Sequence, residues 1–392
     1  MNKKLKQLLK AIIMISITGA CLSHAMSLRD KIGQMLVVGF NGQVVDESSP
    51  IVQSIREHNI GGVIFFNKHP NQNIASPEQV KLLSQKLQQY THTYNTQNRR
   101  DNSTLIIAVD YEGGKVNRFK PQFGFCETVS AKAFSALSID EQISKAKEMA
   151  TTCYEAGVNV NFAPCVDIDH KDCPVIGKLE RSFSSDPKEI TQCASIFCDA
   201  FDEKKIGTAL KHFPGHGSSI KDTHHDYVDV THTWDKKELI PYKALAARPY
   251  CMVMKAHVIN QQIEPQQIPM TLSPKATDVL RDDCKFDGII ISDAMEMKAI
   301  SDHYGEFDAI TQALSSGINM LLFDSCEKVS KTIDAIEKAV QNGDISEETI
   351  NQSYEKIKTY KASLWNSYSA IPHIAEEDQG LVDSSKCKCA IF

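Results

Sequence analysis

Between Lys211 and Asp226 the chain reads KHFPGHGSSIKDTHHD, which crowds His212, His216, His224 and His225 beside Asp222 and Asp226 in one Gly/Pro-containing segment. Asp222 and His224 stand two residues apart. A carboxylate at that spacing can accept a hydrogen bond from one imidazole nitrogen, orient the ring, fix its tautomer and stabilise the imidazolium. The other nitrogen is then free to exchange a proton near neutral pH. The spacing alone also admits a polar surface loop with incidental histidines, or a metal site, since His and Asp are both ligands.

What must position such a loop is readable from the rest of the chain. Near-continuous apolar runs occur at 34–40, 62–66, 105–110, 158–163, 206–212, 251–257, 288–293 and 318–324. That is the pattern of strands buried on both faces. Amphipathic helical segments lie between and after them, among them 141–156, 187–203, 308–316, 327–341 and 346–363. Eight strands alternating with helices predict a single α/β domain, a (β/α)8 TIM-type barrel over 26–367. An open doubly wound sheet is the alternative, but no Gly-rich phosphate fingerprint follows the first strand. Asp110, Lys211, His212, His257, Asp293 and Asp324 each end a predicted strand. In a barrel those ends converge on the face where active sites form.

Composition narrows the function classes. The 392 residues are 42% apolar and carry a net charge of −6, with no basic stripe to suggest nucleic acid. Lys3, Lys4, Lys6 and Lys10 precede an apolar run at 11–20 and a plausible cleavage site at Ser23-His24-Ala25. That run is too short to span a bilayer, so residues 1–25 read as a cleaved export signal and the protein as periplasmic or secreted. A lipoprotein site at Cys21 is the runner-up. Of the twelve cysteines, most are scattered and several fall in strand-like runs, so buried thiols are expected and no CxxC pair argues for zinc. Residues 368–392 form a polar tail ending Cys389-Ala390-Ile391-Phe392, formally a prenylation box that would matter only inside a eukaryotic cell.

The motif Lys211–Gly217 followed by Asp222-Thr223-His224 resembles the signature of family 3 glycoside hydrolases, β-N-acetylhexosaminidase branch. The Asp110–Arg118, Asn161–Asp167, Arg181–Pro187 and Ser292-Asp293 segments extend that resemblance. It implies a retaining exo-β-N-acetylhexosaminidase that needs no cofactor or metal. Its substrate would be a carbohydrate with a terminal β-linked N-acetylglucosamine, from wall fragments, chitooligosaccharides or glycans. In that reading Asp293 is the nucleophile, His224 the general acid/base and Asp222 its orienting partner. Asp110, Arg118, Arg181, Lys211 and His212 bind the sugar. Gly215 and Gly217 would be hinges of a mobile loop. Most single-domain bacterial relatives work in the cytoplasm, so an export signal departs from the family pattern. Two other readings stay open: a metal-dependent hydrolase using His212, His216, His224 and Asp293, and an amino-sugar-binding protein without turnover.

Overall fold

Branched and thioether side chains fill the expected runs because each strand is covered on both faces. In a computed structural model of the chain they become the eight strands of a closed parallel barrel. The described residues are 26–67, 72–101, 103–222 and 227–366. Residues 1–25, His224 and the tail from 368 therefore lie outside them. The strands are β1 (Leu36–Gly39), β2 (Gly62–Phe65), β3 (Ile106–Val109), β4 (Val160–Asn161), β5 (Gly207–Phe213), β6 (Cys251–Lys255), β7 (Ile289–Ala294) and β8 (Met320–Phe323). Each pairs in parallel with its sequence neighbour, and β8 closes on β1. All eight expected runs are strands.

The helices start where the sequence supplies caps. Ser76 and Asp186 cap α1 (Pro77–Gln97) and α3 (Pro187–Asp202), each with proline in the first turn, where its missing N–H costs nothing. Ser138 and Glu141 form a reciprocal capping box at the start of α2 (Ile139–Glu155). The short α4 (Ile240–Leu245) follows a 3-10 turn at Lys236–Leu239. After β7 and β8 come α5 (Glu306–Ser315), α6 (Val329–Asn342) and α7 (Glu347–Ser363).

The two ends of the barrel differ. At the N-terminal end, Lys361 on α7 donates to Gln34 Oε1 at 2.7 Å and to the Gly61 carbonyl at 3.1 Å, which ties the last helix under the barrel. At the other end the ladder between β3 and β4 is carried on by a side chain. Asn161 accepts from Tyr111 N and donates to Tyr111 O, both at 3.0 Å. That fixes the residue immediately after Asp110 and aims Asp110 into the barrel mouth. The described cysteines are all free thiols, most of them buried.

Candidate active site

The strand ends converge on a cavity of about 250 Å³ lined by, among others, Asp110, Arg118, Arg181, Lys211, His212, Asp222 and Asp293. Every residue expected to have a catalytic or sugar-binding role that lies within the described part of the chain is on that wall. Asp324 joins them. A larger cavity, about 620 Å³, lies between α1 and α2 on the outside of the barrel, away from all these groups.

The β3–β5 side of the mouth is a charge network. Lys211 Nζ stands 2.8 Å from Asp110 Oδ1 and 2.7 Å from Glu112 Oε1. Arg181 grips Glu112 with two parallel bonds, at 2.8 and 2.7 Å, and also donates to the Val175 carbonyl at 3.0 Å. Arg118 reaches Asp110 Oδ2 at 3.3 Å, and its Nε is buried with no partner among the described residues. Burial opposes ionisation of Asp110, but Lys211 and Arg118 outweigh it and hold the carboxyl well below the usual range. Burial likewise opposes ionisation of Glu112, and Arg181 and Lys211 hold it down. Arg181 is therefore both a loop staple and a member of the cavity wall.

A second buried carboxylate, Asp167, organises the strand-to-loop transition. It takes His212 Nδ1–H at 2.7 Å and the backbone N–H groups of His212 and His216 at 3.2 and 2.8 Å. With Nδ1 donating to Asp167, His212 Nε2 becomes an acceptor, and Arg181 Nη2 lies 3.2 Å from it. Burial counts against charge on Asp167, yet His212 more than compensates and keeps it low. Gly113 (φ 95°) and Gly114 (φ 56°) make the tight turn after Asp110, in a conformation other residues rarely adopt.

The β6–β8 side carries Asp293. Its neighbours are pinned. Ser292 Oγ accepts from Leu322 N at 3.0 Å, and the Ala294 carbonyl accepts from His257 Nε2 at 2.9 Å. Asp293 Oδ1 itself accepts the N–H of Ala294 at 2.8 Å. The side chain is half-buried and faces the cavity opposite the Lys211 network.

Three expectations need correction. His257 ends its strand as expected but is fully buried, its nitrogens occupied by Thr271 Oγ1 (2.8 Å) and Ala294 O, so it supports Asp293 from behind instead of lining the mouth. Gly215 and Gly217 are not built as hinges: both are buried, and an added Cβ would lie 2.0 Å from Glu238 Oε2 and 1.9 Å from Ile168 O respectively. Of the alternative ligand set His212, His216, His224 and Asp293, His224 lies outside the described residues, and the others are not grouped as metal ligands among the described residues. His216 Nδ1 bonds Ser219 Oγ at 2.9 Å, and both ring nitrogens of His212 are engaged. Burial, with the neighbouring His212, lowers His216 to about 4, which leaves it a neutral structural ring at pH 7. Among the described residues, the donor atoms that do approach one another belong to Cys165, Asp167 and His212, and hydrogen bonds link them: Cys165 Sγ lies 3.3 Å from Asp167 Oδ2. Glu112 and Asp167, in contrast, were missed as site residues, although both stand inside the motif segments Asp110–Arg118 and Asn161–Asp167. The signal was an acidic residue a few positions past a strand end, a wider window than the strand terminus itself.

Residues 27–360 match the model of the glycosyl hydrolase family 3 N-terminal domain. The chain belongs to glycoside hydrolase family 3. A β-hexosaminidase of Hydrogenovibrio crunogenus is 32% identical over 278 residues, covering 67% of this chain and 71% of the relative. Beta-hexosaminidase A of Pseudoalteromonas piscicida is 29% identical over 81% of this chain, but the match spans only 56% of that relative's length. Among solved structures, a family 3 β-N-acetylglucosaminidase of Paenibacillus sp. str. FPU-7 superposes with a TM-score of 0.80 at 31% identity, covering 92% of this chain and 66% of that one. The protein is thus a member of a glycoside hydrolase family with its candidate site at the C-terminal mouth of the barrel; the two curated relatives are named β-hexosaminidases and the solved neighbour a β-N-acetylglucosaminidase.

Proposed function

We propose that the protein is a retaining exo-β-N-acetylhexosaminidase that removes terminal N-acetylglucosamine. Asp293 attacks the anomeric carbon and the glycosidic bond breaks. His224, oriented by Asp222, gives its proton to the leaving oxygen, then takes one from the water that releases the sugar from the ester. The observation that carries this reading is the shared cavity: Asp293 and Asp222, separated by 70 residues of chain, open onto the same small space as five polar side chains able to bind a sugar. Asp222 is two residues from His224, and an extended dipeptide reaches roughly 7 Å, which is within the scale of such a cavity.

The binding half suits a hydroxylated ring. Asp110 is held ionised, so its oxygens accept from sugar hydroxyls. The guanidinium of Arg118 and the ammonium of Lys211, which line the same cavity, supply complementary donors. A cavity of about 250 Å³ fits one monosaccharide, consistent with exo action.

The test is hydrolysis of an aryl N-acetyl-β-glucosaminide by wild type, Asp293→Ala and His224→Ala. Removal of Asp293 should lower kcat on the order of 10³-fold or more. His224→Ala should lower it about 10²–10⁴-fold, least for substrates with good leaving groups. Near-full activity in Asp293→Ala would refute the assigned nucleophile.

We also infer export, on the strength of the lysine-rich start, the apolar run at 11–20 and the small residues before position 26. Terminal sequencing of the mature protein checks it: a chain retaining residues 1–25 would contradict cleavage. An exported enzyme would meet wall fragments, chitooligosaccharides or host glycans outside the cytoplasm.

A further inference from the structure

Phe213, Pro214 and Gly215 leave β5 and turn across one short segment, residues 234–242. The Tyr242 ring meets Phe213 edge-on, 5.1 Å between centroids. Trp234 Nε1 donates to the Pro214 carbonyl at 3.0 Å. Between these contacts lies Glu238, with Oε2 filling the space a Cβ on Gly215 would need. Trp234 stands just before the 3-10 turn, Glu238 within it and Tyr242 in α4, and each meets one of three consecutive loop residues. Gly215 has φ 133°, a conformation open to glycine and strained for other residues. On the loop's other side, Asp167 holds the N–H of His216, and Gly217 lies against the Ile168 carbonyl. The segment that carries the histidines is thus clamped from both sides.

Glu238 is 3% exposed, and its Oε2 has no hydrogen-bond partner among the described residues. An uncompensated carboxylate in such a place is costly, whereas the acid form is tolerated.

We propose that Glu238 is a positioning residue of the active site: as a neutral carboxylic acid it fills the notch at Gly215 and fixes the loop that holds His212 and His216 and leads on to the Asp222–His224 pair. It touches no substrate. When Glu238 ionises, water must enter the notch or the loop must lift from it, and sugar binding weakens with proton transfer. The catalytic part of this statement rests on the hexosaminidase reading.

The electrostatics agree with the packing. Burial pushes Glu238 up to about 8; Asp167 across the loop adds to the rise, while the Ser218 hydroxyl, the Asp235 backbone and the Lys237 ammonium oppose it. The other titratable groups nearby bring no charge to bear at neutral pH. Burial keeps Tyr242 protonated, its phenol pushed well above 10, and holds His216 neutral.

Two measurements test the proposal on the full chain. In the first, kcat and KM for an aryl N-acetyl-β-glucosaminide are followed from pH 6 to 9.5 in wild type, Glu238→Gln and Glu238→Ala. Relative to Glu238→Gln, wild-type kcat/KM should fall about tenfold between pH 7 and 9, the extra fall expected for loss of a proton near 8. Glu238→Gln, which keeps the shape and cannot ionise, should show only the alkaline fall that loss of the His224 proton gives both enzymes. Glu238→Ala should lose about tenfold or more in kcat/KM at pH 7, much of it in KM, as the loop shifts. The second readout needs no turnover. Trp234 and Trp365 are the two tryptophans, so in a Trp365→Phe background the emission reports on the indole bonded to Pro214. It should titrate near pH 8, and Glu238→Gln should abolish that transition. A Glu238→Gln profile with the same alkaline fall, or an emission transition that survives the substitution, overturns the proposal. So does a folded Glu238→Ala with wild-type constants. If Glu238→Ala does not fold, the glutamine comparison still decides. If wild type hydrolyses no hexosaminide, the function falls and the fluorescence result still judges the loop.

Discussion

The two sides of the barrel mouth treat carboxyl groups in opposite ways. On the β3–β5 side, Glu112 and Asp167 are buried and Asp110 is half-buried, yet Lys211, Arg181 and His212 hold them below their ordinary values. Beyond that network, on the β5–β6 connection, burial raises Glu238 to about 8. Glu296, three residues past Asp293, is exposed and accepts the Asp324 N–H at 3.0 Å, with no cation in hydrogen-bond contact among the described residues. On the proposed function, the first side would be preorganised for binding. Its charges are fixed in a low-dielectric wall, so a sugar would require little reorganisation. The second is poised near neutrality, where a change of protonation costs little. A glycosidase needs both: a constant frame for the ring and a region where protons move.

The comparison breaks most readily at Glu112. Glu112→Ala removes the carboxylate that Lys211 and Arg181 share, leaving two buried cations with less countercharge. Breaking a buried pair in this way costs about 3–5 kcal/mol, enough to shift a denaturation midpoint clearly. KM for the aryl glycoside should rise as well, because Lys211 and Arg181 lose their anchor. Glu112→Gln should recover part of the stability by keeping the shape. Unchanged unfolding and KM in Glu112→Ala would mean the network is solvated and not a rigid frame.

That residue also marks how far the sequence could be read. The barrel was legible because strands buried on both faces leave near-continuous apolar runs, and all eight stood out. The cavity wall was legible where a polar residue ended such a run, as at Asp110, Lys211 and Asp293. Glu112 and Asp167 were not, since each acts through partners far away in sequence: Arg181 lies 69 positions from Glu112 and His212 lies 45 from Asp167. His257 shows the reverse error. It ends a strand like the others, but Ala294 and Thr271 turn it into a buried prop. Gly215 looked like a source of motion because glycine is permissive; the occupant of its missing Cβ, Glu238, comes from another segment altogether.

A smaller effect sharpens the comparison from the opposite side. A carboxyl raised in the folded state contributes stability fully below its unfolded value, 4.5, and loses it as pH rises through the folded value. The β3–β5 carboxylates do the reverse: their contribution is present above their unfolded values and is lost only as strong acid is approached. Other groups overlap the same window. Buried Lys255 and Lys361, lowered to about 7, make stability rise with pH above 7, and His216, lowered to about 4, does so below 6.5. The difference between wild type and Glu238→Gln cancels these. Measured by urea unfolding from pH 6 to 8, wild type should lose roughly 2–3 kcal/mol relative to the glutamine variant, at about 1.4 kcal/mol per pH unit. A flat difference would show that Glu238 is ionised in the folded protein throughout.

The smallest effect is expected where a cation does stand on the β6–β8 side. Lys328 pairs with Glu306 at 2.8 Å, but both side chains are well exposed, at 61% and 40%. Water screens such a pair, and its contribution is about 0–1 kcal/mol. Lys328→Ala should therefore change unfolding by about 0.5 kcal/mol at most and leave hydrolysis rates alone, in contrast to Lys211, whose partners are buried with it. A loss comparable to that of Glu112→Ala would mean that the β6–β8 side also depends on an ion-pair frame, and the distinction between a charge-fixed wall and a burial-tuned one would fail.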